Sequence, residues 1–309
     1  MVQPSFTLNT GASIPAIALG TWGGMSAEER KVEVVAPWIL SALKAGYRHL
    51  DTAYSYGTET GVGEAIRQSG IPRKDLFVTT KLSWHHAHKV AESIDQSLQN
   101  LGTDYVDLYL LHWPQVAKDG SDEEWYPKDP QGDLEVVDTP TFNEVWAELE
   151  KVLASGKAKA IGVSNFSIKN LEKLLTTAKI VPAVNQVELH PALAQTELLE
   201  YCKAKGILLA AYTPSGYANI RNHPLIAALA QKYHSTPNQI TLGWHLARGN
   251  VVIPGSKNAE RQKENLAPVV GLEAEDVAKI TALDSGTRYC NKPNESGKVF
   301  GWTLEQLGW

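Results

Sequence analysis

Two cysteines, Cys202 and Cys290, are all that 309 residues contain. They are too few for a disulfide framework, and a chain of this length buries enough apolar surface to do without one. A reducing compartment is expected. No stretch is long and apolar enough to cross a bilayer, and Met1-Val2-Gln3-Pro4-Ser5 has neither a basic opening nor an apolar run, so neither a span nor a signal peptide is read. Lys and Arg number 29 against 34 Asp and Glu, for a formal charge of -5, and no basic cluster stands out. A nucleic-acid backbone or an anionic membrane therefore finds no electrostatic footprint, and both are excluded as partners. Repeats and low-complexity segments are also lacking. A soluble, cytoplasmic monomer is the expectation.

What is present is globular material, 43% hydrophobic and 20% charged. The length suits a single α/β barrel domain over residues 1–309. Phe6-Thr7-Leu8 and Ser13-Ile14-Pro15, joined through Asn9-Thr10-Gly11, form an N-terminal β-hairpin, a plug or lid ahead of the main fold. Eight short apolar runs follow: Ile17 to Gly20, Tyr47 to Asp51, Leu76 to Thr80, Val106 to Leu111, Ala158 to Val163, Ala183 to Glu188, Ile207 to Tyr212 and Val251 to Ile253. Helix-period segments lie between them, among them Val90, Ile94, Leu98 and Leu101, and Phe142, Val145, Trp146 and Leu149 with Thr139-Pro140 as the start signal. Ile168, Leu171 and Leu174 behind Ser167 give a third stripe, and further helices span Pro224 to His234, Pro237 to Ala247 and Val277 to Leu283. This alternation predicts a (β/α)8 TIM barrel. The segment Pro114 to Asp138 and the aperiodic tail Asp284 to Trp309 are too long for plain connectors and are expected over the barrel mouth.

A polar residue recurs at or just past the end of nearly every strand: Thr21, Asp51, Lys81, His112, Ser164 with Asn165, Glu188 with His190, Tyr212 and Ser256. Singly each has an ordinary structural explanation, as a helix cap, a solvated strand end or a core histidine. In a parallel barrel, however, all those ends converge on one face. Asp51, Tyr56, Lys81 and His112, with no cysteine among them, suit proton transfer to a reacting oxygen. A phenol is a weak acid and a weaker base at neutral pH, but an ammonium beside it favours the phenolate, and a carboxylate holds that ammonium in place. The run His85-His86-Ala87-His88 invites a metal, yet adjacent histidines point apart, and no metal site is assigned.

Several motifs extend this reading. They are Gly20-Thr21-Trp22, Gly46-Tyr47-Arg48-His49-Leu50-Asp51-Thr52-Ala53 with Tyr56-Gly57, Lys81, and Asp107-Leu108-Tyr109-Leu110-Leu111-His112-Trp113-Pro114. Gly162-Val163-Ser164-Asn165-Phe166, Asn185-Gln186, His190-Pro191 and Ile253-Pro254 before Ser256 complete the set. In this order and spacing the chain resembles the aldo-keto reductase family over essentially its whole length.

The resemblance implies Tyr56 as general acid/base, Lys81 and Asp51 as its tuning partners, and His112 as the group that orients the substrate carbonyl. It also implies a nicotinamide cofactor, although the glycine fingerprint of dinucleotide-binding sheets is absent. Thr21, Trp22 and Asp51 would border the cofactor. Ser164, Asn165 and Gln186 would hold its carboxamide, Tyr212 its ring, and Thr213-Pro214-Ser215 its pyrophosphate. Ser256, Lys257, Asn258, Arg261, Glu264 and Asn265 would take the adenosine end. A guanidinium fork matches a phosphate dianion, so Arg261 favours NADPH, with NADH (NAD+) as second choice. Many relatives carry a lysine where this chain has Gly255, and Lys257 is the cation available to replace it.

Trp22, Ser55, Trp84, His112, Trp113, Phe300 and Trp302, with Trp125 on the long connector, are the candidate substrate wall. Aromatic walls suit apolar or aryl carbonyls and also stack on sugars. The expected function is reversible reduction of an aldehyde or ketone, the small-molecule partner, to the alcohol with NADPH (NADP+). The alternatives are a cofactor-bound regulatory or scaffold subunit and a metal-dependent barrel hydrolase.

Overall fold

A computed structural model describes residues 3–24, 26–119 and 126–309. Eight parallel strands form the central sheet. They are β1 (Leu19–Gly20), β2 (His49–Asp51), β3 (Phe77–Leu82), β4 (Leu108–Leu111), β5 (Ile161–Ser164), β6 (Val184–Glu188), β7 (Leu208–Tyr212) and β8 (Val251–Ile253). Each pairs with the next in sequence, and the two edges meet where Ile17 bridges Val252 and Ala18 N–H donates to the Val252 carbonyl at 2.8 Å. The result is a closed (β/α)8 barrel, in the order the apolar runs predict.

Strand period decides what lies inside it. Phe77, Leu108, Leu110, Ala160, Val184, Ala210, Val251 and Ile253 make one buried cluster, while their sequence neighbours Val78, Tyr109, Leu111, Ile161, Leu209 and Val252 belong to a second cluster shared with the helices. The first is the barrel interior and the second the layer between sheet and helices. Counting in twos from the interior residues puts Asp51, Lys81, His112, Ser164, Gln186 and Tyr212 on the inward face at the carboxyl ends of their strands. Gly162 makes room within: a Cβ there would meet the Val184 carbonyl oxygen at 2.5 Å and a Leu110 methyl at 2.8 Å.

The hairpin forms from Ser5–Thr7 and Ser13–Pro15. Its Leu8 and Ile14 pack with Phe77, Leu108 and Val251, at the amino ends of the strands, so it plugs the floor and does not cover the mouth. The outer helices carry their stripes inward: Val90, Ile94, Leu98 and Leu101 are all buried on Val90–Leu101. The helix Phe142–Ser155 starts two residues later than Thr139-Pro140 suggests, because Thr141 is its N-cap and closes a capping box with Glu144. Ser167 caps Ile168–Leu175 as expected.

The long connector after β4 and the tail fold together. Val116–Ala117 pairs with Val136–Val137, and the tail forms a ribbon, Lys298–Val299 with Trp302–Thr303, before a short helix at Leu304–Leu307. Asp133 takes Ser296 Oγ at 2.7 Å, a short bond from Asn294 and the Lys298 ammonium at 3.4 Å, while Gln115 Nε2 donates to the Val299 and Phe300 carbonyls.

Candidate active site

Lys81 sits inside β3 and not past its end, and its four-carbon stem carries the ammonium to the centre of the mouth. There Nζ donates to Asp51 Oδ1 at 2.6 Å, to the Thr52 carbonyl at 2.8 Å and to Tyr56 Oη at 3.3 Å. The second carboxylate oxygen of Asp51 accepts from Gln186 Nε2 at 2.7 Å. Both charges are fully buried, and each is saturated by short charge-assisted bonds.

Burial would push the Lys81 ammonium down, but Asp51 and Tyr56 outweigh it and its pKa lies above the ordinary lysine value. Tyr56 is also raised. Burial drives it up and Asp51 adds to the rise, which the nearby ammonium only partly offsets. Lys81 therefore favours the phenolate as expected, but burial and Asp51 outweigh it, and at neutral pH the Tyr56 proton stays on. The His112 imidazole is held well below its ordinary value, first by burial and then by the Lys81 charge, and is therefore neutral.

Residues 54–56 form one 3₁₀ turn, whose three side chains point in three directions. Tyr54 packs on His86 with ring centroids 4.4 Å apart, Ser55 Oγ approaches His112 Nδ1 at 3.4 Å, and Tyr56 meets Lys81. The His112 ring lies 5.7 Å from that of Tyr56, edge to face, and 6.3 Å from the nearly parallel indole of Trp84. Asp51, Tyr56, Lys81 and His112 thus come together as the sequence suggests. His85 and His86 bond Ser83 and Ser93, and no grouping of side chains fit to hold a metal occurs among the described residues.

Residues 16–285 match the model of the Aldo/keto reductase family. The chain belongs to this family. It is 42% identical to a glycerol 2-dehydrogenase (NADP(+)) of Saccharomyces cerevisiae, the match covering 94% of each chain. It is 40% identical to a D-galacturonate reductase of Hypocrea jecorina, over 90% of this chain and 89% of that one. Among solved structures it is similar to the aldose reductase of Schistosoma japonicum, with a TM-score of 0.86 at 32% identity, covering 96% and 97% of the two chains. The chain is accordingly an oxidoreductase that acts on carbonyl compounds.

In this aldo-keto reductase a chain of hydrogen bonds floors the mouth beside the tetrad. Ser164 Oγ donates to the Gln186 carbonyl at 2.8 Å. Asn165, held at φ +64°, donates to Ser164 Oγ at 3.1 Å and to the His112 carbonyl at 3.0 Å, and accepts the Tyr212 hydroxyl at 2.7 Å. Asn291 of the tail donates to the same hydroxyl at 2.6 Å. Nothing in the sequence pointed to Asn291, because an aperiodic tail gives no register against the mouth. The tail is anchored there by Glu188, which accepts the Tyr289 and Cys290 N–H groups and His190 Nε2. Hydrogen bonds from those three groups hold the Glu188 carboxyl below its ordinary pKa, against the upward push of burial.

Thr21 is buried and donates to the Asp51 carbonyl at 3.0 Å, while Trp22 is 44% exposed and packs edge-on to Tyr56. In the loop after β7, Thr213 touches Cys290, Pro214 offers its carbonyl to His245 at 3.0 Å, and Ser215 bonds Asn238. Beyond β8, Asn258 caps the helix Ala259–Asn265, and Arg261 Nε bonds Ser256 Oγ at 3.3 Å. The Arg261 fork has no acidic partner among the described residues. Lys257 is engaged elsewhere, donating to the Gly23 carbonyl at 2.6 Å with Glu29 at 3.7 Å. Glu264 and Asn265 are tied to Thr236 and Asn238.

Trp84, Trp113 and Phe300 form one aromatic cluster with Tyr126, the Trp84 and Phe300 rings lying 5.1 Å apart and those of Trp113 and Phe300 4.9 Å. Trp302 lies in the tail ribbon, partly buried against the same cluster. Trp125 lies outside the described residues.

Proposed function

We propose that this enzyme reduces an aldehyde or ketone to the corresponding alcohol with NADPH, reversibly, and that Tyr56 is the general acid. The observation that carries this is the placement of the Lys81 ammonium between Asp51 at 2.6 Å and the Tyr56 hydroxyl at 3.3 Å. When bound, the nicotinamide supplies the hydride equivalent that reaches the carbonyl carbon. Everything else belongs to the chain.

Burial keeps the phenol protonated until a substrate oxygen takes its proton. The ammonium then faces a phenolate and stabilises it, while Asp51 and the Thr52 carbonyl keep the ammonium from moving toward solvent. His112, neutral and at the edge of Tyr56, positions the same oxygen. Ser164, Asn165 and Gln186 would hold the carboxamide, Tyr212 would face the ring, and Thr213-Pro214-Ser215 would lie over the pyrophosphate. Ser256, Asn258 and Arg261 would receive the adenosine end. An exposed guanidinium fork without an acidic partner is what a ribose phosphate requires, which supports NADPH over NADH. Lys257 acts here as a tie between the loops after β8 and β1.

The aromatic cluster, with Ser55 and His112 at its edge, favours small carbonyls with an apolar or stacking face. The names of the relatives add short polyhydroxylated carbonyls to that class. The test is NADPH oxidation by the purified protein across short-chain and aryl aldehydes, sugar aldehydes, uronates and diketones. Turnover with at least one class is expected, and silence across all of them favours the regulatory-subunit reading.

A further inference from the structure

We propose that Ser55 is a positioning residue that fixes the tautomer of His112. The inference rests on the proposed role of His112 toward the substrate oxygen. Most freedoms of this imidazole are already removed. Its backbone carbonyl is held by Asn165, the Trp84 indole lies nearly parallel to its ring, and the Tyr56 ring stands near it edge to face. Burial and the Lys81 charge keep it neutral, so it carries one N–H and one lone pair. What remains is which nitrogen has the proton.

Nδ1 faces Ser55 Oγ at 3.4 Å. Nε2 has no hydrogen bond to any described residue, while the ring as a whole is 8% exposed. Protonated at Nδ1, the ring would donate to the serine and turn the Nε2 lone pair toward a carbonyl oxygen, a repulsive arrangement. Protonated at Nε2, it accepts the serine O–H and offers a donor to that oxygen. The second state is favoured on both sides, since the pyridine-type nitrogen of imidazole is a better acceptor than an alcohol oxygen, and the hydroxyl rotates freely to donate. Ser55 is available because the 3₁₀ turn sends Tyr54 to His86 and Tyr56 to Lys81, leaving the middle residue pointed at His112. An aliphatic residue at position 55 would leave the tautomer unspecified.

The test combines long-range ¹H–¹⁵N correlation of the imidazoles with steady-state kinetics, on the wild type, Ser55→Ala and Ser55→Thr. The His112 signals are assigned by their loss in His112→Gln, and folding is checked by thermal melting. The wild type is expected to show His112 as Nε2–H with Nδ1 accepting a hydrogen bond. Ser55→Ala should lose that signature and lower kcat roughly two- to tenfold at unchanged KM for NADPH, and Ser55→Thr should restore both. An Nδ1–H tautomer in the wild type, or an alanine variant with unchanged spectrum and kcat, overturns the proposal. The spectrum is read without turnover, so either result stands apart from whether Tyr56 is the acid.

Discussion

At the scale of single residues, the molecule's chemistry depends on a competition between burial and charge at one phenol. Lys81 pulls the Tyr56 pKa down, but burial and Asp51 push it further up, and the outcome is a neutral acid beside a fixed cation. Asp51, Lys81 and His112 are legible in the sequence because each stands at or near the carboxyl end of an apolar run, where a charged or titratable group is out of place. The direction of the phenol's shift is not legible, since it depends on how deeply the 3₁₀ turn is buried. Arg261 offers a second residue-scale prediction. Replacing it with methionine removes the fork but keeps the helix it sits on, capped by Asn258. The KM for NADPH should rise roughly ten- to a hundredfold, the loss of hydrogen bonds to a charged group, while the KM for NADH stays within about twofold. Equal changes for both cofactors would show that Arg261 does not read the ribose phosphate.

At the scale of elements, the strands place the site by parity alone. Period two turns Asp51, Lys81, Ser164, Gln186 and Tyr212 inward together, and the barrel closure between Ile17 and Val252 makes inward mean one shared space. Gly162 belongs to that arrangement. Gly162→Ala would press a methyl group against the Val184 carbonyl, and a loss of about 3 kcal/mol in urea denaturation is expected, the cost of overpacking a rigid core. A variant within about 0.5 kcal/mol of wild type would mean that β5 and β6 can part at no cost. The barrel strands and most helices could be read from apolar runs and periodicity. The cover over the mouth could also be read, from the length of the connector after β4 and of the tail, but the contacts that join it could not: Asp133 with Asn294 and Ser296, and Asn291 with Tyr212, bring together segments far apart in sequence through side chains of no special chemical type.

At the scale of the whole molecule, several buried neutral histidines make stability depend on pH. His49, His112 and His245 all have pKa values lowered by burial, His245 to about 3, beneath the loop that carries Pro214. A depressed histidine binds no proton in the folded state while the unfolded chain takes one below about 6.5. Stability is therefore complete above that pH and falls as the solution is acidified, by at most about 1.4 kcal/mol per pH unit for each such histidine until its folded-state pKa is passed. Glu59, buried with a raised pKa, acts in the opposite direction and offsets part of the loss. His245→Gln can keep a donor toward Pro214 without titrating. Unfolding free energies at pH 7 and pH 5 should differ less in that variant than in wild type, and an identical difference would show that His245 is not buried neutral.

The central claim is that Tyr56, set by Lys81 and Asp51, donates the proton in carbonyl reduction. Tyr56→Phe tests it most directly, because the ring stays and only the hydroxyl goes. NADPH affinity, followed by quenching of protein fluorescence, should remain within about twofold of wild type, while kcat for the best aldehyde of the panel falls by about 10²- to 10⁴-fold, the span of general-acid catalysis. A phenylalanine variant that binds NADPH and still turns over at a near-normal rate would contradict the account.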